Sequence, residues 1–311
     1  ILSYDNERLI GALDWAMQGR SFDALKGIYK FNPNSKLEAV VTYNNDDNDL
    51  NDLPEKEIYS IAEAGEITKS LQIIHYDYSG KNKFQFSAIA MNQVLQNPSG
   101  AHYDLLTVGI NSKKYLENIG FFGSAYYQTG KNTLAQSKNA YQFSANVDFL
   151  IHSKFNVILG TEWLSGRNFD TDSGENKSFS PMYGTNHLHN GFMDYFYFGN
   201  SHFNSFGLND YYLKSNLKFS PNSILQANLH AFTSNGKLGF DTSGEKIPSY
   251  LGTELDLVFT HKIGKSITAN LGHSFMFSGK SMEYLKNVPE PKNLQTWSWI
   301  AFRIAPNFRI K

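Results

Sequence analysis

The 311-residue sequence has no cysteine, which excludes a thiolate catalyst and a disulfide framework. No charge sign dominates, since 28 basic and 29 acidic residues leave a net charge of −1. A nucleic-acid partner, which calls for a basic excess, is not expected. No apolar run approaches the roughly 20 residues a transmembrane helix needs, and mean hydropathy is −0.41. The sequence opens on "ILSYDNERLIG", without an initiator Met or a signal peptide, so a processed or truncated chain is expected. Tryptophan is scarce at four, whereas 24 Phe, 18 Tyr and 24 Gly are present. That mixture favours strands and turns over helices.

What is present is a repeated unit of about ten residues, alternating apolar and polar, followed by a turn. In "YLGTELDLVFTHK", Leu251, Leu255, Leu257 and Phe259 share one face, and Gly252, Glu254, Asp256 and Thr260 the other. "AYQFSANVDFLI" sets Tyr141, Phe143, Ala145, Val147, Phe149 and Ile151 against Gln142, Ser144, Asn146 and Asp148. "YYLKSNLKFS" sets Tyr211, Leu213, Leu217 and Phe219 against Lys214, Asn216 and Lys218. Period two means strand. The pattern predicts an all-β chain of about fourteen antiparallel strands, each long enough to cross a bilayer when tilted. They begin near residues 8, 20, 35, 68, 82, 103, 118, 138, 153, 208, 221, 249, 265 and 294.

Short turns such as "SGKNK" and "FSPNS" alternate with long polar connections near 46–66, 167–207, 235–248 and 280–293. Turns at one end and loops at the other are the layout of a transmembrane up-and-down β-barrel, here one domain over residues 1–311. A soluble β-sandwich also alternates. Against it stand Glu, Asp, Lys and Asn deep within the polar faces, and apolar faces that end in Tyr, Phe and Trp as an interfacial girdle would.

"ERLIGALDWAMQGRSFDALKGIYKF", "MYGTNHLHNGFMDYFYFGN" followed by "GLNDYYLKSNLKFSPNSILQANLHAFTS", and the final "WSWIAFRIAPNF" together resemble the alginate-export family of outer-membrane barrels. The block from Met182 to Phe232 resembles its Bacteroidota members most. The resemblance implies an eighteen-strand barrel in a Gram-negative outer membrane; against the fourteen strands counted here, either amino-terminal strands are missing from this chain or fourteen close by themselves. It also implies passage of a polyanionic saccharide through a basic lumen, and Arg8 and Arg20 match the family's basic positions. Only Arg8, Arg20, Arg167, Arg303 and Arg309 are arginines, which leaves the cargo open between small solutes and anionic, saccharide-like ones.

The expected function is therefore an outer-membrane channel for passive diffusion or export. Strand phasing nominates Arg8, Arg20, Lys214, Lys218, Arg303, Glu254, Asp256 and Glu162 as lumen residues. Inward Lys36, Glu38 and Asp148 make the wall mixed in charge rather than single-signed, and such rings set ion preference. Acidic sugars would meet the cations through charge-assisted hydrogen bonds; alternatively these cations pair with the inward acids and brace the wall. Expected partners are outer-membrane lipid and lipopolysaccharide, small or polyanionic saccharides, and other envelope proteins. The alternative is a plugged or structural barrel within a larger complex.

His187 and His189, at i and i+2, would share a face if they lay on a strand, with Asp194 or His202 as a third metal ligand. Ligand spacing this loose reads better as a loop with local hydrogen bonds. Asp46, Asp47, Asp49 and Asp52 are oxygen-rich but lack the glycine and spaced glutamate of a calcium loop, so a solvated acidic loop is expected. His230, Asp256, His75 and Asp77 face inward without a motif that places a nucleophile. No cofactor is expected, and an outer-membrane enzyme is the lesser reading.

Overall fold

The computed structural model describes residues 2–13, 19–44, 67–97, 99–196, 205–288 and 292–306. They form one sheet, of strands β1 (Ala24–Asn32), β2 (Ser35–Tyr43), β3 (Ile67–Gly80), β4 (Phe84–Gln96), β5 (His102–Leu116), β6 (Ile119–Lys131), β7 (Ser137–His152) and β8 (Phe155–Leu164). These are followed by β9 (Glu175–Asn176), β10 (Leu208–Ser220), β11 (Ser223–Thr233), β12 (Tyr250–Ile263), β13 (Ile267–Ser278) and β14 (Leu294–Ile304). The short β9 lies parallel to the start of β7. All the others pair antiparallel with their chain neighbours, without crossover, from β1 to β14. The path ends at β1 and β14, which are not paired with each other among the described residues. One short helix, α1 (Ser281–Lys286), lies between β13 and β14.

Connections alternate strictly in length. At one end lie two- or three-residue turns at 33–34, 81–83, 117–118, 153–154, 221–222 and 264–266; at the other lie all the longer connections. The outward phase carries the apolar residues at high exposure, among them Leu213 at 45%, Leu271 at 56% and Ile300 at 64%. The inward phase carries Gln142, Asp210, Glu254 and Asp256 at 1% or less. A sheet with its apolar face outside and its polar face buried is inside-out for water and right for lipid.

Toward the long-loop end the inward faces turn apolar. Leu71, Ile73, Met91, Leu208, Phe232 and Met276 there form a cluster with Leu9, Ile10, Phe179 and Phe196. This core is not sheet against sheet. It is wall against two chain segments lying inside the curve of the sheet, residues 2–12 and 178–196.

Twelve of the expected strands begin within two residues of their predicted starts, and two differ. Residues near Arg8 form no strand of the sheet; Asp5, Glu7 and Leu13 take positive φ of 55°, 58° and 58°, which breaks an extended run. The strand expected near residue 20 begins at Ala24. Leu251 is also corrected. The register of β12 against β11 skips it, and the bulge turns its side chain into the core at 0% exposure instead of outward with Leu255 and Leu257.

Candidate functional site

The two interior segments are tied to each other before they are tied to the wall. Gly11 N–H donates to the Tyr183 carbonyl at 2.9 Å, Tyr183 N–H to Leu9 at 2.9 Å and Thr185 N–H to Glu7 at 2.9 Å. Thr185 Oγ1 donates to Glu7 Oε2 at 2.5 Å. Arg20 clamps both segments from outside the pair, donating from Nη1 to the Gly11 carbonyl at 3.3 Å and the Gly184 carbonyl at 3.4 Å. The approach is close enough that a Cβ at Gly184 would lie 2.4 Å from the Arg8 carbonyl oxygen. Because that obstacle is backbone, Gly184→Ala is expected to part the two segments and cost about 1–3 kcal/mol. Faster protease cleavage within residues 2–12 of the reconstituted variant would report the parting; unchanged cleavage would show that the segments do not depend on each other.

Inside the curve of the sheet Arg8, fully buried, reaches the wall near the long-loop end of β8. Its Nε donates to Glu162 Oε1 at 2.8 Å, its Nη2 to Glu162 Oε2, and Nη2 also to Asn190 Oδ1 at 2.9 Å. Gln142 Nε2 donates to Glu162 Oε1 at 2.9 Å, and Asn190 Nδ2 to Glu162 Oε2 at 3.0 Å. Asn190 Nδ2 also donates to Asp210 Oδ2 at 3.2 Å, and Asp210 holds His230 Nδ1 at 2.9 Å. The guanidinium is held in a fork by a carboxylate whose oxygens have further donors, as burying two charges requires, while Arg8 Nη1 is buried without a hydrogen-bond partner among the described residues.

A second anchor lies three strands further along the same wall. Glu254 and Asp256, both fully buried on β12, accept backbone N–H groups of the 178–196 segment. Met193 N–H donates to Glu254 Oε1 at 2.8 Å and Phe192 N–H to Asp256 Oδ2 at 3.3 Å. Ser274 Oγ donates to Asp256 Oδ1 at 2.5 Å. Gly191, at φ +87°, makes the turn that aims these amides at the wall; a Cβ there would lie 2.5 Å from Glu254 Oε1. The third anchor is Asp5, which accepts from Ser87 Oγ at 2.5 Å and lies 3.1 Å from His75 Nε2.

Below these anchors, on the short-turn side, is a cavity of about 660 Å³. Its roof is Tyr4, Asp5 and Asn6, and its walls come from β1 to β7. Lys26 and Lys36 share Glu38 there, at 2.5 and 2.8 Å. Uncharged walls are Gln85, Ser87, Asn111, Ser124, Ser144 and Asn146.

Of the residues nominated from sequence, Arg8, Glu162, Glu254 and Asp256 meet around the interior segments. Lys214 faces the same space from β10, its Nζ 4.7 Å from the Tyr212 ring centre, with no ion pair among the described residues. Arg20 lies beside the segments rather than on a strand. Lys218 and Arg303 are exposed near the short-turn end and are not gathered with the rest. Asp210 lies in phase with Lys214 and was legible from alternation; Asn190 belongs to an aperiodic loop and was not.

The histidines are corrected likewise. Asn186–Leu188 is a single 3₁₀ turn, so His187 and His189 share no strand face. His187 Nδ1 lies 2.8 Å from Asp194 Oδ2. Burial, helped by the Arg8 cation, holds His189 far below its ordinary range, at about 3, so its imidazole is neutral. No three His, Asp or Glu side chains converge as a metal site among the described residues. His202 and the Asp46–Asp52 cluster lie outside those residues.

A family model described as alginate export matches residues 2–288. No curated protein matches the chain in sequence. Among solved structures, OccK3 (OpdO) of Pseudomonas aeruginosa is similar over 97% of this chain and 74% of its own, with TM-score 0.60 and 11% identity. The outer membrane protein OprD from Pseudomonas aeruginosa is similar over 97% and 73%, with TM-score 0.59 and 12% identity. OccK10 (OpdN) of the same organism is similar over 99% and 79%, with TM-score 0.59 and 9% identity. At these identities the likeness is one of fold.

Proposed function

Since the chain belongs to the alginate export family, as an integral outer-membrane channel for diffusion or export of small solutes, we propose that its traffic is gated by its own interior segments. Residues 2–12 and 178–196 narrow the lumen at the Arg8–Glu162 contact, and solutes pass between the short-turn cavity and the long-loop side when these segments give way. The observation that carries this reading is that both segments are anchored to the wall by polar contacts at Glu162, Glu254, Asp256 and Asp5. These polar contacts can be exchanged for water and solute, while the apolar packing of Leu9, Ile10, Phe179 and Phe196 toward the long-loop end keeps the segments inside the sheet.

In this reading the nominated lumen residues divide in two. Arg8, Glu162, Glu254 and Asp256 brace the gate, because each holds a contact between an interior segment and the wall. Lys214 is the cation for passing anions, acidic saccharides included, since its ammonium is not committed to a carboxylate. Arg20, Lys218 and Arg303 are assigned no solute contact. We read the chain as a channel and not an enzyme, related to the Bacteroidota type through the block from Met182 to Phe232. In lipid the free edges of β1 and β14 need partners, which an eighteen-strand barrel would supply.

Liposome swelling tests the proposal. Glucose and glucuronate should both enter vesicles carrying the protein, and Lys214→Gln should slow glucuronate alone, by about threefold to tenfold. Equal slowing of both sugars would remove Lys214 as a charge contact. Absence of swelling with either sugar would favour the plugged, structural barrel, which the buried Arg8–Glu162 brace also suits.

A further inference from the structure

The short-turn cavity carries two opposite charges that the protein does not use. Most of the ionisable groups lining it are committed: Lys26 and Lys36 to Glu38, and Asp5 to His75 and Ser87. Asp77 and Lys113 form no hydrogen bond or ion pair among the described residues. Asp77 acts on Lys36 only at longer range, and the Lys36 ammonium is held by Glu38. Lys113 rests its ammonium over the rings of Tyr115 and Phe122, at 5.1 and 5.2 Å from their centres. That contact orients the cation and leaves its hydrogen-bond donors unspent.

The register fixes how far apart the two charges stand. Asp77 on β3 is opposite Ser87 on β4, which is opposite Asn111 on β5; Lys113 lies two residues further along β5. The two Cα positions are thus about 12 Å apart, two strand spacings across the sheet and two residues along it, and both side chains line the cavity. Between them the wall offers Ser87, Asn111 and Gln85, uncharged donors and acceptors. An anion here would neutralise Lys113 and be repelled by Asp77. A neutral sugar could hydrogen-bond both groups through its hydroxyls but would neutralise neither charge. A solute with one ammonium and one carboxylate answers both.

We propose that this cavity is a binding subsite for small zwitterions of amino-acid to dipeptide size, with the solute ammonium on Asp77 and its carboxylate on Lys113. An extended dipeptide spans about 7 Å of backbone, which bridges the two groups once the Lys113 ammonium swings from the Tyr115 and Phe122 rings toward Asp77. The subsite depends on the channel reading for how a solute arrives, and not for how it is held.

The test is equilibrium binding to the refolded full-length protein in detergent micelles, followed by calorimetry or ligand-observed NMR. The probes are alanyl-alanine, its N-acetyl derivative, which lacks the ammonium, and its C-terminal amide, which lacks the carboxylate. Wild type should bind the zwitterion about tenfold more tightly than either blocked form, the worth of one charge-assisted hydrogen bond. Asp77→Asn should erase discrimination against the acetyl form and keep it against the amide; Lys113→Gln should do the reverse.

Equal binding of the three probes by wild type, no binding at all, or both variants losing both discriminations would overturn the subsite. Bilayer conductance of the same preparations separates this from the channel reading. Crossed discrimination in a silent protein would overturn the channel and keep the subsite, and a conducting protein without discrimination would do the opposite.

Discussion

Arg8→Ala should raise the single-channel conductance and lower stability by about 3–5 kcal/mol, the cost of leaving one member of a buried ion pair without its partner. The size of the effect follows from burial. Glu162 is enclosed, and only Gln142 and Asn190 would remain as donors to its carboxylate. The lost contact is also the charged one that pins residues 2–12 to β8, so the segment should be held there less firmly. The paired change Arg8→Met with Glu162→Met removes both charges, and such replacements are often neutral or stabilising. It should therefore regain most of the stability. Conductance in planar bilayers and denaturant-induced unfolding in micelles read the two halves. A stable Arg8→Ala variant of unchanged conductance would mean that the pair does not hold the gate.

The second large effect belongs to the outside of the sheet. Leu257 is near the middle of β12, opposite Ala227 on β11 and His273 on β13, in the outward phase with Leu255 and Phe259. Leu257→Lys should cost about 2–4 kcal/mol, the penalty for a lysine at the bilayer midplane, and should reduce assembly into vesicles. Glu254→Gln, three residues earlier and facing inward, keeps an oxygen for the Met193 amide and should assemble as well as wild type. Equal assembly of Leu257→Lys and wild type would reverse the facing of β12.

These two predictions differ in how far the sequence foretells them. The facing of Leu257 is written in local alternation, because period two is a property of consecutive residues and lipid enforces it along every strand. For the same reason twelve of the strand starts, the inward phase of Glu162, Lys214, Glu254 and Asp256, and the alternation of short and long connections were legible.

The pairing of Arg8 with Glu162 is not local, since 154 residues separate the partners and no period links them. Arg8 was placed on a strand because the apolar residues around it imitate one. The positive φ of Asp5, Glu7 and Leu13 is invisible in a pattern of apolar and polar letters. Residues 178–196 lie in a long polar connection that reads as a loop and strand folding over or into the mouth of the barrel. That they enter it depends on two glycines, Gly184 and Gly191, and on the carboxylates waiting on β12. The division of the cations was equally hidden. Lys36 and Lys113 carry the same charge on inward faces, but one has a carboxylate within reach and the other has aromatic rings.

Planar-bilayer recording of the full-length protein under a salt gradient tests the central claim most directly, that this is an outer-membrane channel whose lumen is mixed in charge and narrowed by its own chain. The predicted result is discrete, small steps with a reversal potential close to zero, because inward acids and cations offset each other. Silence in every preparation, or a strong preference for ions of one sign, would contradict it.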